Sequence, residues 1–263
     1  QIYKSKDIVS NQIRGSGWEM GFITSLKNIF LSYSAKHNVP LSELTFLDIG
    51  ANVGWFSLNM AALGVNVIAF EPMEQNYELI KKSLEEKINI DNGVSDRVTL
   101  YEHGLGVKEE TCFLYSDDGN VGDGHIKCVA SEEDLSIQKG YSIRQKVVVK
   151  RLDDVLTAEK VKSMNIIAAK LDCEGFEGNV LEGGMNVLLD GGILNILSEY
   201  QPTWIKEKGS GDGGDADLYL QRFKGAGYRV EKMGGAEVFL KKTEPINKDV
   251  DQSITSTKQT TQY

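Results

Sequence analysis

An acid and two glycines follow the first strongly apolar run of this chain, at a spacing suited to ligand binding. The segment Leu47–Phe56 reads LDIGANVGWF and places Asp48, Gly50 and Gly54 at the turn between a predicted strand and a predicted helix. Glu71 ends the next apolar run, 21 residues after Gly50. A carboxylate there can accept hydrogen bonds from both hydroxyls of a ribose, because it has two acceptor oxygens. The pattern predicts a site for a nucleotide-like ligand.

The spacing of the glycines discriminates between cofactors. Dinucleotide-binding loops read G-x-G-x-x-G, and their second glycine admits a pyrophosphate. Here Asn52 stands where that glycine would be, between Gly50 and Gly54. Asp48 would repel a phosphate but can pair with an amine. We therefore expect S-adenosylmethionine, which carries a ribose and an amino group and no phosphate. A nucleotide-dependent oxidoreductase is the less favoured alternative.

The other predicted cofactor contacts lie near the same strand ends, because ligands of open α/β sheets bind outside the carboxyl ends of the strands. A packing role is the alternative for Met73. The helix that begins near Gly54 should direct its positive end toward the cofactor's carboxylate. The predicted cofactor-binding residues are Asp48, Gly50, Ala51, Asn52, Gly54, Phe56, Glu71, Pro72, Met73, Asn76 and Gly104.

Four polar residues at further strand ends are the catalytic candidates. Asp172 and Glu174 follow an apolar strand and could remove or orient a hydroxyl proton, with helix capping as the alternative. His103, predicted to end the third strand, could act as a base, or it could only line the adenine pocket. His125 is a second, weaker base candidate. Glu199 could bind substrate hydroxyls.

Glu199 could also hold a cation together with Asp172, since carboxylate oxygens suit Mg²⁺. Two carboxylates do not establish a ligand set, however. The sequence therefore predicts no metal site, and a divalent metal stays a possible but unfavoured cofactor.

Strands and helices alternate along most of the chain, which predicts an α/β fold with a doubly wound, mostly parallel sheet. Residues 1–40 read as a leader and a helix, and residues 41–242 as the main domain. Residues 106–146 interrupt this pattern with short alternating segments and predict a β-rich flap. Residues 243–263 are polar and predict a disordered tail.

Composition restricts the function classes. Of 263 residues, 41% are apolar and 25% charged, as in a soluble globular domain. The net charge of −9 argues against a nucleic-acid partner, which would need Lys and Arg to neutralise phosphate. No apolar run approaches the ~20 residues of a membrane span. The chain begins without Met, which leaves open that it is one domain of a larger polypeptide.

Three cysteines, Cys112, Cys128 and Cys173, are widely spaced and form no C-x-x-C pair. This spacing predicts neither a disulfide framework nor a zinc site. We therefore expect a reducing, cytoplasmic location.

Four segments resemble the FkbM family of S-adenosylmethionine-dependent methyltransferases. They are FLDIGANVGWFSL (46–58), AFEPMEQNYELIKKSL (69–84), VVVKRLDDVL (147–156) and KLDCEGFEGNVLEGG (170–184). The last is the most specific, through its acid–x–Glu–Gly–x–Glu block. The resemblance implies the class I, Rossmann-like methyltransferase fold, with a sheet of about seven strands and an antiparallel last strand. It also implies O-methylation of sugar or polyketide hydroxyls.

Residues and resemblance together predict an S-adenosylmethionine-dependent O-methyltransferase that acts on a hydroxyl of a sugar or glycan. Two alternatives stay open. One is O-methylation of a polyketide or another small molecule, and the other is a non-catalytic cofactor-binding module of a larger protein.

Overall fold

The computed structural model describes residues 1–243, except for the side chains of residues 158, 159 and 162. The predicted disordered tail, 243–263, therefore lies outside the described residues apart from its first position. The helices are α1 Ile8–Gly15, α2 Met20–His37, α3 Trp55–Leu63, α4 Glu74–Leu84, α5 Lys87–Asp91, α6 Leu152–Val155, α7 Ala158–Ser163, α8 Glu177–Gly183, α9 Met185–Leu188, α10 Pro202–Lys208 and α11 Ala216–Gly225. Short 3₁₀ turns cover Leu41–Glu43, Ser95–Arg97, Glu132–Asp134 and Gly211–Gly214.

Strands form two sheets. The strands are β1 Thr45–Ile49, β2 Asn66–Phe70, β3 Val98–Tyr101, β4 Gly104–Leu105, β5 Glu110–Asp117, β6 His125–Lys127, β7 Tyr141–Lys150, β8 Ile166–Leu171, β9 Asn195–Glu199, β10 Tyr228–Gly234 and β11 Glu237–Lys242. The large sheet has seven strands in the order β10-β11-β9-β8-β1-β2-β3. The small sheet has four, in the order β4-β7-β5-β6.

The large sheet confirms the predicted doubly wound α/β class. Five neighbouring strands, β3-β2-β1-β8-β9, pair in parallel, and β11 pairs antiparallel with both β9 and β10. Every residue of β1 and β8 is buried, as expected for parallel strands covered on both faces. The antiparallel last strand and the seven-stranded sheet are as predicted.

Apolar helix faces cover both sides of this sheet. One core joins Ile23, Leu26 and Phe30 of α2 to residues of α3, α4 and the sheet. The other core packs α8, α9 and α11 against the opposite face, together with the small sheet. The cores reach the last residues of β1, β2 and β8, so a site beyond those strand ends rests on a packed base. Within residues 1–243 no helix is both long and apolar enough to cross a membrane.

The small sheet is the predicted β-rich insertion, and two details differ from the prediction. The third strand ends at Tyr101, two residues before His103, because the chain turns into the small sheet at Gly104. The prediction of unbonded cysteines is also wrong, since Cys112 and Cys128 form a disulfide. Antiparallel pairing of β5 with β6 brings Phe113 opposite Lys127, so the flanking cysteines come within reach despite 16 residues of separation.

The N-terminal leader lies over the loop that joins β5 to β6. Asp7 caps α1 by accepting a hydrogen bond from the Ser10 N–H, 2.6 Å long. The Val121 N–H donates to the carbonyl of Lys6 at 2.8 Å, and the Ile8 N–H donates to Asn120 Oδ1 at 2.9 Å. Leader and insertion are thus joined by one backbone hydrogen bond and by one bond to the Asn120 side chain.

Candidate active site

A cavity lies at the carboxyl ends of β1, β2 and β8, where the sheet order changes direction. The predicted residues that line it are Gly50, Asn52, Glu71, Pro72, Asn76, His103, Gly104, Asp172 and Glu174.

Glu71 is held by the turn after β1. One carboxylate oxygen accepts from the Asn52 N–H at 2.7 Å, and the other accepts from the Met73 N–H at 2.8 Å and more weakly from Asn76 Nδ2 at 3.4 Å. Burial raises the pKa of Glu71 to about 7, although these hydrogen bonds oppose the shift. The carboxylate is therefore fixed in orientation. The oxygen bonded to Asn52 keeps a lone pair for a ligand hydroxyl, and on the other oxygen a hydroxyl would take the place of the long bond from Asn76.

Gly50 allows the strand ends to approach each other closely. Its φ of +82° lies in the left-handed region, and a Cβ there would lie 1.8 Å from the carbonyl oxygen of Asp172. Only glycine fits this position. The turn then passes through Asn52, also at positive φ, to Gly54, which precedes α3.

Other predicted cofactor residues lie outside this cavity. Met73 is 1% exposed within the core, in agreement with its packing alternative. Asp48 is fully buried and accepts a 2.5 Å hydrogen bond from Ser57 Oγ, while Gly54 packs near Ile80. Ala51 and Phe56 line a neighbouring cavity, which Asn52, Asp172 and Glu174 also line.

Lys170, which sequence reasoning missed, interacts with two of the predicted acids, Asp172 and Asp48. It is the last but one residue of β8, and its Nζ lies 2.7 Å from Asp172 Oδ2 and over the ring of Phe56. Asp172, Asp48 and Glu19 raise the pKa of Lys170 against the effect of burial. A lysine within the apolar run NIIAAKLD was the available signal, because a buried lysine needs a carboxylate partner.

Three acids converge beyond the ends of β8 and β9. One carboxylate oxygen from each of Asp172, Glu174 and Glu199 lies within 4.8 Å of the others. Burial raises the pKa of Glu199 to about 10, and Asp172 adds to the shift. Burial likewise raises the pKa of Glu174 well above its usual range.

Helix capping does not explain Asp172 or Glu174. Helix α8 begins at Glu177 and receives no side-chain cap from its preceding residue, Phe176. Glu177 itself accepts from the Cys173 N–H at 2.7 Å and the Gly175 N–H at 3.2 Å. The carboxylates of Asp172 and Glu174 are therefore directed to the cavities they line, and Glu177 has the structural role.

His103 lies at the far wall of the cavity. Its ring packs against Phe70 and Tyr101, and Nδ1 lies 3.0 Å from the Gly104 carbonyl oxygen. Burial lowers the pKa of His103, so the ring is neutral at pH 7. This aromatic setting fits the pocket-lining alternative better than the base role.

The loop between β5 and β6 closes the cavity from above, and sequence reasoning did not assign it a contact. The Gly122 carbonyl accepts from Asn76 Nδ2 at 2.9 Å and from Asn52 Nδ2 at 3.3 Å. Tyr3 of the leader donates to Asn76 Oδ1 at 2.9 Å. The neighbouring residue Asp123 lines the cavity as well.

His125 lines an aromatic cleft between the small sheet and α10. The rings of Tyr115, Tyr141 and Trp204 surround the imidazole, with centroids 5.5–5.7 Å from it. Polar groups of Gln138, Glu207 and Lys208 share the cleft. Aromatic faces with a few polar groups are typical of small-molecule binding sites.

Comparisons with solved structures gave distant similarities. A methyltransferase FkbM from Methylobacillus flagellatus KT is 14% identical, with a TM-score of 0.48 and coverage of 76% of this chain and 44% of its own. Monomeric WbdD is 11% identical, with a TM-score of 0.48 and coverage of 91% and 46%. Magnesium protoporphyrin IX methyltransferase (ChlM) from Synechocystis PCC 6803, solved with bound SAM, is 12% identical, with a TM-score of 0.43 and coverage of 92% and 86%.

This chain spans less than half the length of the first two of these proteins. No curated protein matches it in sequence. The model of the methyltransferase FkbM domain matches residues 48–230, which include both the turn after β1 and the acids beyond β8. The chain therefore belongs to the FkbM methyltransferase domain family.

Proposed function

We propose that this chain is an S-adenosylmethionine-dependent O-methyltransferase that acts on a hydroxyl of a sugar or glycan. The observation that carries the proposal is the placement of Asp172 and Glu174. Both line the cavity that contains Glu71, and both also line the neighbouring cavity beside Phe56. A polyol suits such a site, because each carboxylate can accept hydrogen bonds from two adjacent hydroxyls.

The cofactor would lie across the turn after β1. Glu71 would accept from the two ribose hydroxyls, and Asn76 and Pro72 would flank the adenine side. The N-terminal end of α3 would face the cofactor's carboxylate, with Ala51 and Phe56 beside it. Asp48 would act indirectly, because it is buried beneath the site and holds Ser57 of α3 through a hydrogen bond.

When bound, S-adenosylmethionine supplies a methyl group already activated by the sulfonium. The chain's task is then to orient a hydroxyl behind that methyl and exclude water, which can contribute ~7–11 kcal/mol. Asp172 is the proposed acceptor of the hydroxyl proton as the new O–C bond forms. Glu199 carries a proton at neutral pH, because its pKa is about 10, and can donate a hydrogen bond to an acceptor oxygen. His103 would serve the adenine pocket.

The aromatic cleft supports a carbohydrate acceptor. The rings of Tyr115, Tyr141 and Trp204 offer apolar faces to the C–H face of a sugar, while Gln138 and Glu207 can bind its hydroxyls. A polyketide hydroxyl is the alternative acceptor, and a non-catalytic cofactor-binding module is the alternative role.

Transfer of labelled methyl from S-adenosylmethionine to a panel of simple glycosides and small polyketides tests the proposal. Label on a glycoside supports it. Label only on a polyketide would show that the acceptor is a polyketide and not a sugar. Saturable S-adenosylhomocysteine binding without any transfer would favour the non-catalytic alternative.

Asp172→Asn provides the mechanistic test. It should lower methyl transfer ~10²-fold or more, since general bases contribute ~10²–10⁴-fold, and leave S-adenosylhomocysteine affinity within about threefold. Glu133→Gln, which changes an exposed acid of the insertion, is the matched control. Loss of cofactor affinity in Asp172→Asn would make Asp172 a cofactor residue instead.

A cytoplasmic location stays a prediction, and its argument from the cysteines is weakened. Cys112 and Cys128 are bonded, and disulfides persist mainly in oxidising compartments. Counting free thiols in protein purified without reductant tests the point. One free thiol per chain indicates that Cys112 and Cys128 are bonded, whereas three free thiols would support the predicted cytoplasmic location.

A further inference from the structure

A buried histidine nitrogen faces the proposed active site without a hydrogen-bond partner. His125 begins β6 and is 3% exposed. Its Nδ1 is hydrogen-bonded to Lys208 Nζ, and Lys208 also donates to the carbonyl oxygen of Glu174. Its Nε2 is buried with no hydrogen-bond partner. Buried polar atoms are nearly always paired, so an unpaired one points to a missing ligand.

Two carboxylates complete a set around this nitrogen. Asp123 lies two residues before His125, and its Oδ2 is 3.8 Å from Nε2. Glu174, in the turn after β8, reaches the same point from the large sheet. One ring nitrogen of His125 and one oxygen from each acid lie within 4.8 Å of one another. Metal–ligand bonds of about 2.0–2.2 Å separate ligand atoms by roughly 3–4.4 Å, so small side-chain rotations suffice to close the set.

We propose that Asp123, His125 and Glu174 form a binding site for a divalent metal ion. One imidazole with two carboxylates suits a metal that accepts both nitrogen and oxygen ligands, such as Mn²⁺. Asp172 and Glu199 lie beside Glu174, so further carboxyl oxygens adjoin the set.

The opposite edge of the imidazole is held by Lys208, whose Nζ is hydrogen-bonded to Nδ1. With Nε2 on the cation, Nδ1 carries the ring proton and donates it to Lys208 Nζ, which is then a neutral amine. A metal-binding histidine usually has its other ring nitrogen held by a hydrogen bond. Lys208 also donates to the carbonyl oxygen of Glu174 and so joins the histidine to the turn that carries Glu174.

The position of the site suggests its role. Asp123 and Glu174 line the cofactor cavity, whereas His125 lines the aromatic cleft, so the cation would lie where the two meet. There it would orient the acceptor hydroxyl and favour its deprotonated form. This role rests on the proposed O-methyl transfer, but metal binding itself does not.

Titration of the chelator-treated, desalted protein with Mn²⁺ tests the site, with free Mn²⁺ measured by electron paramagnetic resonance and no cofactor or acceptor present. We expect one saturable site per chain. His125→Gln and Glu174→Gln should each weaken Mn²⁺ binding at least tenfold. Asp118→Asn is the matched control. It removes an exposed acid of the same loop, one that pairs with Arg144, and should bind Mn²⁺ as the unsubstituted protein does.

Absence of saturable Mn²⁺ binding up to millimolar concentration would overturn the proposal, as would equal binding by both variants and the unsubstituted chain. The far-ultraviolet circular dichroism and melting temperature of each variant check that its fold is intact, and two independent substitutions guard against the loss of either one. Mn²⁺ binding without methyl transfer would refute the proposed function alone. Methyl transfer without Mn²⁺ binding would refute the metal site alone.

Discussion

Replacing Glu71 with glutamine should weaken S-adenosylhomocysteine binding by about 30- to 150-fold. Both carboxylate oxygens already accept backbone N–H groups, from Asn52 at 2.7 Å and Met73 at 2.8 Å, so they face the ligand in a fixed orientation. Hydrogen bonds to a charged group contribute about 1–1.5 kcal/mol more than neutral ones. The substitution therefore removes about 2–3 kcal/mol of binding free energy from the two hydrogen bonds to the ribose hydroxyls, and each 1.4 kcal/mol is tenfold in affinity.

Isothermal titration at pH 8 is the direct assay, because the Glu71 carboxyl, with a pKa of about 7, is then ionised. Glu74→Gln is the matched control. It removes an exposed acid three residues away at the start of α4 and should leave affinity unchanged.

The pH dependence supplies a second readout. Protonation of Glu71 below pH 7 removes an acceptor, so the unsubstituted chain should bind more weakly at pH 6 than at pH 8, whereas Glu71→Gln should not change. Affinity of Glu71→Gln within threefold of the unsubstituted chain at pH 8 would show that Glu71 does not hold the ribose.

Three further predictions concern stability. Gly50→Ala should lower the melting temperature far more than Gly140→Ala. A Cβ at Gly50 would lie 1.8 Å from a carbonyl oxygen, whereas a Cβ at Gly140, which is also at positive φ, would have no atom within 4 Å. Similar shifts in the two variants would contradict the close approach at Gly50. Reduction of Cys112–Cys128 should cost about 3 kcal/mol of unfolding free energy, as expected for a loop of this length, and an unchanged melting temperature with reductant would contradict the bond. Burial raises the pKa of Glu71 from 4.5 to about 7, so its contribution to stability is fully present below pH 4.5 and is lost as the pH rises through 7. The free energy of unfolding of the unsubstituted chain, measured in urea, should therefore fall between pH 5 and 7.5 relative to that of Glu71→Gln. Parallel pH profiles of the two proteins would refute this.

Local patterns predicted the sheet because each strand is encoded within its own residues. β1 and β8 are short apolar runs bounded by turns, and the alternation of strands with helices restricts the topology to a few arrangements. The turn from Gly50 to Gly54 was recognisable for the same reason, since its backbone conformation requires glycine at both ends.

Contacts between distant segments could not be predicted in this way. The Cys112–Cys128 bond depends on how β5 pairs with β6, which no local pattern specifies. Asp123 lies in the loop between β5 and β6, and only the folded insertion brings it to Glu174 on the large sheet. Lys170 carried a readable signal, since a lysine inside an apolar strand demands a buried partner.

The hydrogen bonds at Gly122 link segments that are far apart in the chain. One carbonyl oxygen serves both Asn52 and Asn76, and the leader is bonded to the preceding loop position, Val121. Displacement of this loop would therefore break both amide bonds together. The turn after β1 and the start of α4 are in this way mechanically coupled to leader residues more than 100 positions from the loop.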